Sequence, residues 1–170
     1  LAGAGGGYRY LAARVINNST RRYNNYLTID KGLRHGVAEG MGVISDKGII
    51  GKVISVSDRF AVVVSLLSTE VLVSAKLKSS NTLGTVNWDG RSAKAIPLLY
   101  IPRHISVLPG DTVISSGFNA IFPEDVVIGT VREVDLKSNA TFYDSDVDLR
   151  EDFYRLSYVY VVQNPLRDER

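Results

Sequence analysis

The sequence predicts an all-β chain folded as two small six-stranded β-barrels, the second inserted into the first. Three observations point there. Val, Ile and Leu dominate the apolar residues, and nine Tyr accompany them, a composition that suits pleated, half-buried strands. Short apolar runs are broken repeatedly by Gly, Asn, Asp and Pro, the punctuation of turns. One supersecondary unit also occurs twice, the mark of paired similar modules.

Taken in order, the runs expected as strands are 14–17, 26–30, 43–45, 49–57, 60–67, 71–78, 83–88, 93–100, 112–116, 126–136 and 154–162. Asp46-Lys47-Gly48 is the expected turn between the third and fourth, and Asp89-Gly90 reads as a hairpin between two apolar runs. Ahead of them, Tyr8 to Ala13 is expected as the remnant of a short N-terminal helix. Residues 1–7, Gly-rich, read as a flexible linker or a cloning remnant, and 166–170 as a tail. Two runs, Phe60-Ala-Val-Val-Val-Ser-Leu-Leu67 and Leu156-Ser-Tyr-Val-Tyr-Val-Val162, are apolar on both faces. A barrel covers only its inner face, so these strands need a second barrel or a partner outside.

The repeat sets the domain expectation. Val37-Ala-Glu-Gly40-Met-Gly-Val43-Ile44-Ser45 resembles Val107-Leu-Pro-Gly110-Asp-Thr-Val113-Ile114-Ser115, and Ile49-Ile50-Gly51-Lys-Val53 resembles Val127-Ile128-Gly129-Thr-Val131. A glycine inside a strand marks a bulge or sharp bend, the means by which a small barrel turns its corners. Gly32, Gly36, Gly40, Gly51, Gly110, Gly117 and Gly129 are therefore expected to determine the fold. The outer barrel is placed at 8–42 and 102–165, and the inserted one at 43–101.

Composition excludes several classes. A net charge of +2 in 170 residues, with charges of mixed sign, does not mark a nucleic-acid binder. The chain has no cysteine, which rules out disulfides and thiolate metal sites. No apolar run reaches the ~18 residues that a membrane-spanning helix needs.

From Leu27-Thr28-Ile29-Asp30-Lys31-Gly32 onward the sequence resembles the MreC family. The match continues through Gly36-Val37, Gly40-Met41-Gly42-Val43 and Gly48-Ile49-Ile50-Gly51-Lys52-Val53. It resumes at Pro109-Gly110-Asp111-Thr112-Val113, Ser115-Ser116-Gly117, Phe122-Pro123 and Ile128-Gly129-Thr130-Val131. Where the family commonly has a Gly after its Phe-Pro element, this chain has Glu124-Asp125, so Asp125 is expected to supply the left-handed turn. The resemblance implies the barrel region of a non-catalytic scaffold in the bacterial cell-elongation complex, which organises peptidoglycan-synthesis proteins and maintains rod shape. It implies a place on the periplasmic side of the inner membrane, with a transmembrane helix upstream. The partners it implies are the elongation-specific penicillin-binding protein, MreD, MreB and further copies of itself. No cofactor is implied.

The residues raise other chemistries. Two β-barrels also suit a trypsin-like hydrolase, with His35 or His104 as base and Ser115 or Ser116 as nucleophile, but the Gly-Asp-Ser-Gly surround is missing. Asp144-Ser-Asp146-Val-Asp148 opens like a calcium loop, yet Leu149 stands where Gly is needed and Arg155 where Glu is. It reads as a solvated acidic loop, with alternation placing its carboxylates on one face. Arg21-Arg22 and the terminal charges read as exposed loop and tail. The aromatics Phe142, Tyr143, Phe153, Tyr154, Tyr158 and Tyr160 read as barrel core or, alternatively, as a partner-binding patch.

Overall fold

The computed structural model describes residues 7–135 and 141–164. The expected linker, except Gly7, and the expected tail lie outside them. Twelve strands form two closed barrels. The first contains β1 (Arg9–Asn18), β2 (Asn24–Ile29), β3 (Gly42–Ile44), β4 (Ile49–Val56), β5 (Ala61–Ser68) and, from the far end of the chain, β12 (Tyr158–Gln163). The second contains β6 (Val73–Leu77), β7 (Leu83–Val86), β8 (Ala95–Pro102), β9 (Thr112–Ser115), β10 (Val127–Asp135) and β11 (Phe142–Leu149). All registered pairs are antiparallel; β1–β12 and β10–β11 are among them.

The second barrel is inserted into the first, as expected, but the strands divide elsewhere. β3, β4 and β5 belong to the outer barrel, and the inserted one runs from β6 to β11, not over 43–101. The reason is closure: β12 pairs with both β1 and β3, so the outer barrel is completed before and after one uninterrupted six-strand unit. Two further expectations are corrected. Tyr8 to Ala13 is not helical, because Arg9–Asn18 is a strand paired with β12 on one side and β2 on the other. Asp144 to Asp148 lies in β11, not in a loop. Among the described residues the only helical pieces are three 3-10 turns: Leu33–His35, Phe118–Ala120 and Phe153–Arg155. The β7–β8 hairpin forms around Asp89-Gly90, but over the longer span 87–94.

The two barrels repeat one another to the level of individual pairs. Around the sheets, β12-β1-β2-β3-β4-β5 corresponds to β6-β7-β8-β9-β10-β11, so the outer barrel is the inner one with its first strand moved to the chain's end. Ile44 faces Ile49 and Val43 faces Gly51; in the second barrel Ile114 faces Val127 and Val113 faces Gly129, with the same register shift. Gly40 donates its N–H to Val53 O at 2.8 Å, and Gly110 to Val131 O at 2.7 Å. Both glycines hold left-handed backbones, with φ of 89° and 94°, which side chains disfavour.

Gly51 and Gly129 do a different job. A Cβ on Gly51 would press into Val64 O, and one on Gly129 into Asp148 O. These are equivalent atoms, one residue before the partners Ser65 and Leu149. The absent side chain lets neighbouring backbones approach and bends β4 and β10 around their barrels. Of the other expected glycines, Gly32 sits against Ser57 O, while Gly36 and Gly117 end or begin 3-10 turns with φ of 82° and 79°. Asp125 is left-handed at φ 71°, as its position after Phe122-Pro123 predicts. Asp30 accepts the Arg14 N–H at 2.8 Å across the β1–β2 pair, and this bond, aided by Lys31, holds its carboxyl below the usual carboxylate range.

Gly51→Ala and Gly129→Ala are each expected to cost about 2 kcal/mol or more, because backbone must move. Gly110→Ala, with nothing within 4 Å of its Cβ, is expected to cost only about 1 kcal/mol, from its positive φ. Urea denaturation of the three variants measures the order.

Candidate interaction surfaces

The barrel interiors are filled. Ile29, Val43, Ile50, Val63 and Val161 in one, and Leu77, Ile96, Leu98, Val113 and Val147 in the other, are fully buried, and the buried residues of both form one continuous cluster. The inward positions of both barrels are occupied by these side chains.

The junction follows from the repeat. Between matched positions, residues 45–48 in the first barrel correspond to 115–126 in the second. The second connection is eight residues longer, and those residues reach back to the first barrel. Gly42 of β3 packs so closely under Ile121 O and the Phe122 ring that a Cβ would fall 2.5 and 2.8 Å away. The connection is tied to its own barrel by the Lys76–Glu124 ion pair, with Lys76 only 9% exposed, and by Ser116 Oγ donating to Ser74 Oγ at 2.8 Å. Beside it lies an apolar groove of about 300 Å³ bordered by Ile54, Val64, Leu72 and Phe122. The outer face of β5, which the sequence required to be covered, is covered here. The return from β11 to β12 is fixed by Phe153, at 1% exposure, and by Asn18 Nδ2 donating to Phe153 O at 2.8 Å.

The six predicted aromatics do not form one patch. Phe153 is core. Tyr154, on the same 3-10 turn, is exposed. Tyr158 and Tyr160 lie on β12 of the first barrel, opposite Arg14 and Ala12 of β1; Tyr158 is 62% exposed, and Ile16 on β1 is exposed too. Phe142 and Tyr143 lie on β11 of the second barrel. Phe142 meets Tyr100 edge-on, with ring centroids 5.9 Å apart and planes at 84°. Both are exposed, as is Leu83 on the adjoining β7. Tyr100 holds φ 69° where β8 gains residues against β11 between Tyr143 and Ser145. Sequence reading misses Tyr100 because nothing in its apolar run signals a bulge.

The tempting catalytic groups are engaged in the fold. Ser115, 1% exposed, donates to Pro123 O at 2.6 Å and accepts the Val126 N–H at 2.9 Å. His35 Nδ1 accepts the Gly32 N–H at 3.1 Å. No histidine is bonded to Ser115 or Ser116. On the outer face of β10–β11, Glu133 stands opposite Asp146 and Asp135 opposite Asp144, while Arg132 donates to Asp148 at 2.6 Å. That bond, with the Asp148 charge and then the neighbouring acids, raises the Arg132 pKa above its usual value. No group of His, Cys, Asp and Glu suited to a metal occurs among the described residues, and none of their helices is long and apolar enough to cross a membrane.

Comparison with known proteins agrees with this architecture. The family model described as rod shape-determining protein MreC, barrel core, matches residues 15–163. The cell shape-determining protein MreC of Listeria monocytogenes is 31% identical over 92% of this chain and 54% of its own length, so the chain spans about half of that relative. The Listeria structure superposes with a TM-score of 0.83, covering 92% of this chain and 76% of that one. Two more distant structures show the same fold. A periplasmic domain described as from the cell shape-determining filament MreC is 24% identical, with a TM-score of 0.76 over 93% of this chain and 97% of that one. A Helicobacter pylori complex between penicillin-binding protein PBP2 and MreC is 16% identical, with a TM-score of 0.69 over 92% and 99%.

Phe122→Ala is expected to cost about 3 kcal/mol and to loosen the junction. Unfolding followed by the single tryptophan, Trp88 in the second barrel, should then separate from unfolding followed by far-ultraviolet circular dichroism. In the parent chain the two curves should coincide.

Proposed function

The chain belongs to the MreC family of rod shape-determining proteins, and from that premise we propose that it is the periplasmic barrel region of a non-catalytic scaffold in the cell-elongation complex. One observation carries the reading. The polar groups that could do chemistry are spent on holding loops, whereas large apolar and aromatic side chains stand exposed on two outer faces, Tyr158 with Ile16 on one barrel and Tyr100 with Phe142 on the other. Tyr and Phe with mixed polar neighbours are favoured interface anchors.

Two faces on one linked body suit a protein that holds partners in fixed relation. The Helicobacter pylori relative is complexed with PBP2, and another relative is described as a filament. By extension this scaffold binds the elongation-specific penicillin-binding protein through one face and a further copy of itself through the other. The family resemblance adds MreD and MreB, met through a transmembrane helix upstream of residue 1. The serine-hydrolase alternative is disfavoured by the burial of Ser115 and by the absence of a histidine partner.

The test compares Ile16→Ala/Tyr158→Ala with Tyr100→Ala/Phe142→Ala. One pair should weaken binding to the elongation-specific penicillin-binding protein about tenfold or more, and the other should reduce self-association. Thermal stability should hold within a few degrees. Loss of neither interaction in either pair would exclude these faces.

A further inference from the structure

The junction opens on one side into a cleft of about 320 Å³ that lies apart from both aromatic faces. Its walls come from both barrels: Thr20 and Arg21 from the β1–β2 hairpin, Trp88, Arg91 and Lys94 from the β7–β8 loop, and Tyr154 from the return to the first barrel. Three cations line it and no carboxylate does. Arg91 is paired with Asp89 at 3.0 Å. Among the described residues Arg21 and Lys94 have no ion-pair partner, although Lys94 also borders a neighbouring crevice that holds Asp148, Glu151 and Asp152.

The cleft is rigidly built. Asn25, fully buried, pins the hairpin that carries Arg21: its Oδ1 accepts the Arg22 N–H and the Ser19 hydroxyl, both at 3.0 Å, and its Nδ2 donates to Arg22 O at 2.8 Å and Leu67 O at 2.6 Å. On the opposite wall the Trp88 indole N–H donates to Ser92 O at 2.7 Å. Gly90, left-handed at φ 84°, lies so close to the Tyr23 ring that a Cβ would sit 2.7 Å from it. Hairpin and loop thus meet at Tyr23 and Gly90, and the residues that carry the cations sit on backbone tied down by these bonds. Fixed sites of this kind spend less of their binding energy on ordering.

We infer that this cleft binds an anionic saccharide, a sugar ring that carries a carboxylate. Arg21 offers the planar fork that matches a carboxylate, and Lys94 a second charge. Tyr154, 56% exposed, presents an aromatic face to the apolar C–H side of a pyranose, and its phenol suits the ring's hydroxyls. Thr20 supplies a further hydroxyl. The volume is at the small end of ligand sites and suits one or two rings. A polyanion held by charge alone would need a longer basic track than this and no aromatic wall.

Titration of the 170-residue chain at low ionic strength with tetragalacturonate, followed by amide and Trp88 indole NMR shifts, tests the inference. Maltotetraose serves as the neutral control and tetrapolyphosphate as the charge control. Saturable uronate binding is expected, weakened about tenfold by Arg21→Ala/Lys94→Ala and several-fold by Tyr154→Ala, and unaffected by Arg34→Ala on the far loop. Maltotetraose should not bind. The inference is overturned if uronate fails to saturate or if its binding survives Arg21→Ala/Lys94→Ala. Equally tight tetrapolyphosphate binding with Tyr154→Ala silent would also overturn it, since that describes a bare cation patch.

Discussion

Each barrel closes on one backbone-to-backbone approach, Gly51 against Val64 in the first and Gly129 against Asp148 in the second. A small six-stranded barrel must turn sharply, and a strand turns sharply where a bulge lets its neighbour come close. The same constraint is met twice in the same register, and everything else is arranged around it. Once the turn is made, the branched aliphatics of the inward positions fill the interior. On the proposed reading, the outer surfaces are where the protein meets its partners.

Where the two barrels differ is informative. The connection after β9 is longer than its counterpart after β3, and the excess clamps one barrel on the other through Ile121 and Phe122. Tyr23 on Gly90 and Asn87 Nδ2 on Thr69 O and Val71 O add a second point of attachment. Two units of matched topology are joined through the longer of the two equivalent loops. Contacts at these two points would hold the two faces in fixed relation, the property that the proposed scaffold needs if a partner on one face is to be positioned relative to a partner on the other.

Much of this was legible in the residues. The Gly-x-x-Val-Ile and Ile-Ile-Gly-x-Val pieces announced two similar modules, and the two-faced strand at 60–67 announced that something must cover it. Asp125 announced its own left-handed turn. Other features were hidden for physical reasons. β11 occupies in the second barrel the place that β5 occupies in the first, yet it is rich in Asp, a poor strand former, because its outer face is solvated whereas that of β5 is covered. Pairing on both edges overrides that local preference in β11, and pairing with β12 does so at Arg9 to Ala13. The domain boundary was hidden because strand runs carry no label for the barrel that they join, and the outer barrel takes its last strand from beyond the other. The scatter of the aromatics had the same cause: Phe142 and Tyr158 are close in sequence but fall on different barrels.

The central claim is that the two barrels act as one rigid body. Residual dipolar couplings of the backbone amides test it most directly. A rigid scaffold predicts one alignment tensor for β1–β5, β12 and β6–β11 together, unchanged on dilution. Two tensors that differ in magnitude or orientation would show barrels that reorient independently, and would contradict a fixed spacing of the two faces.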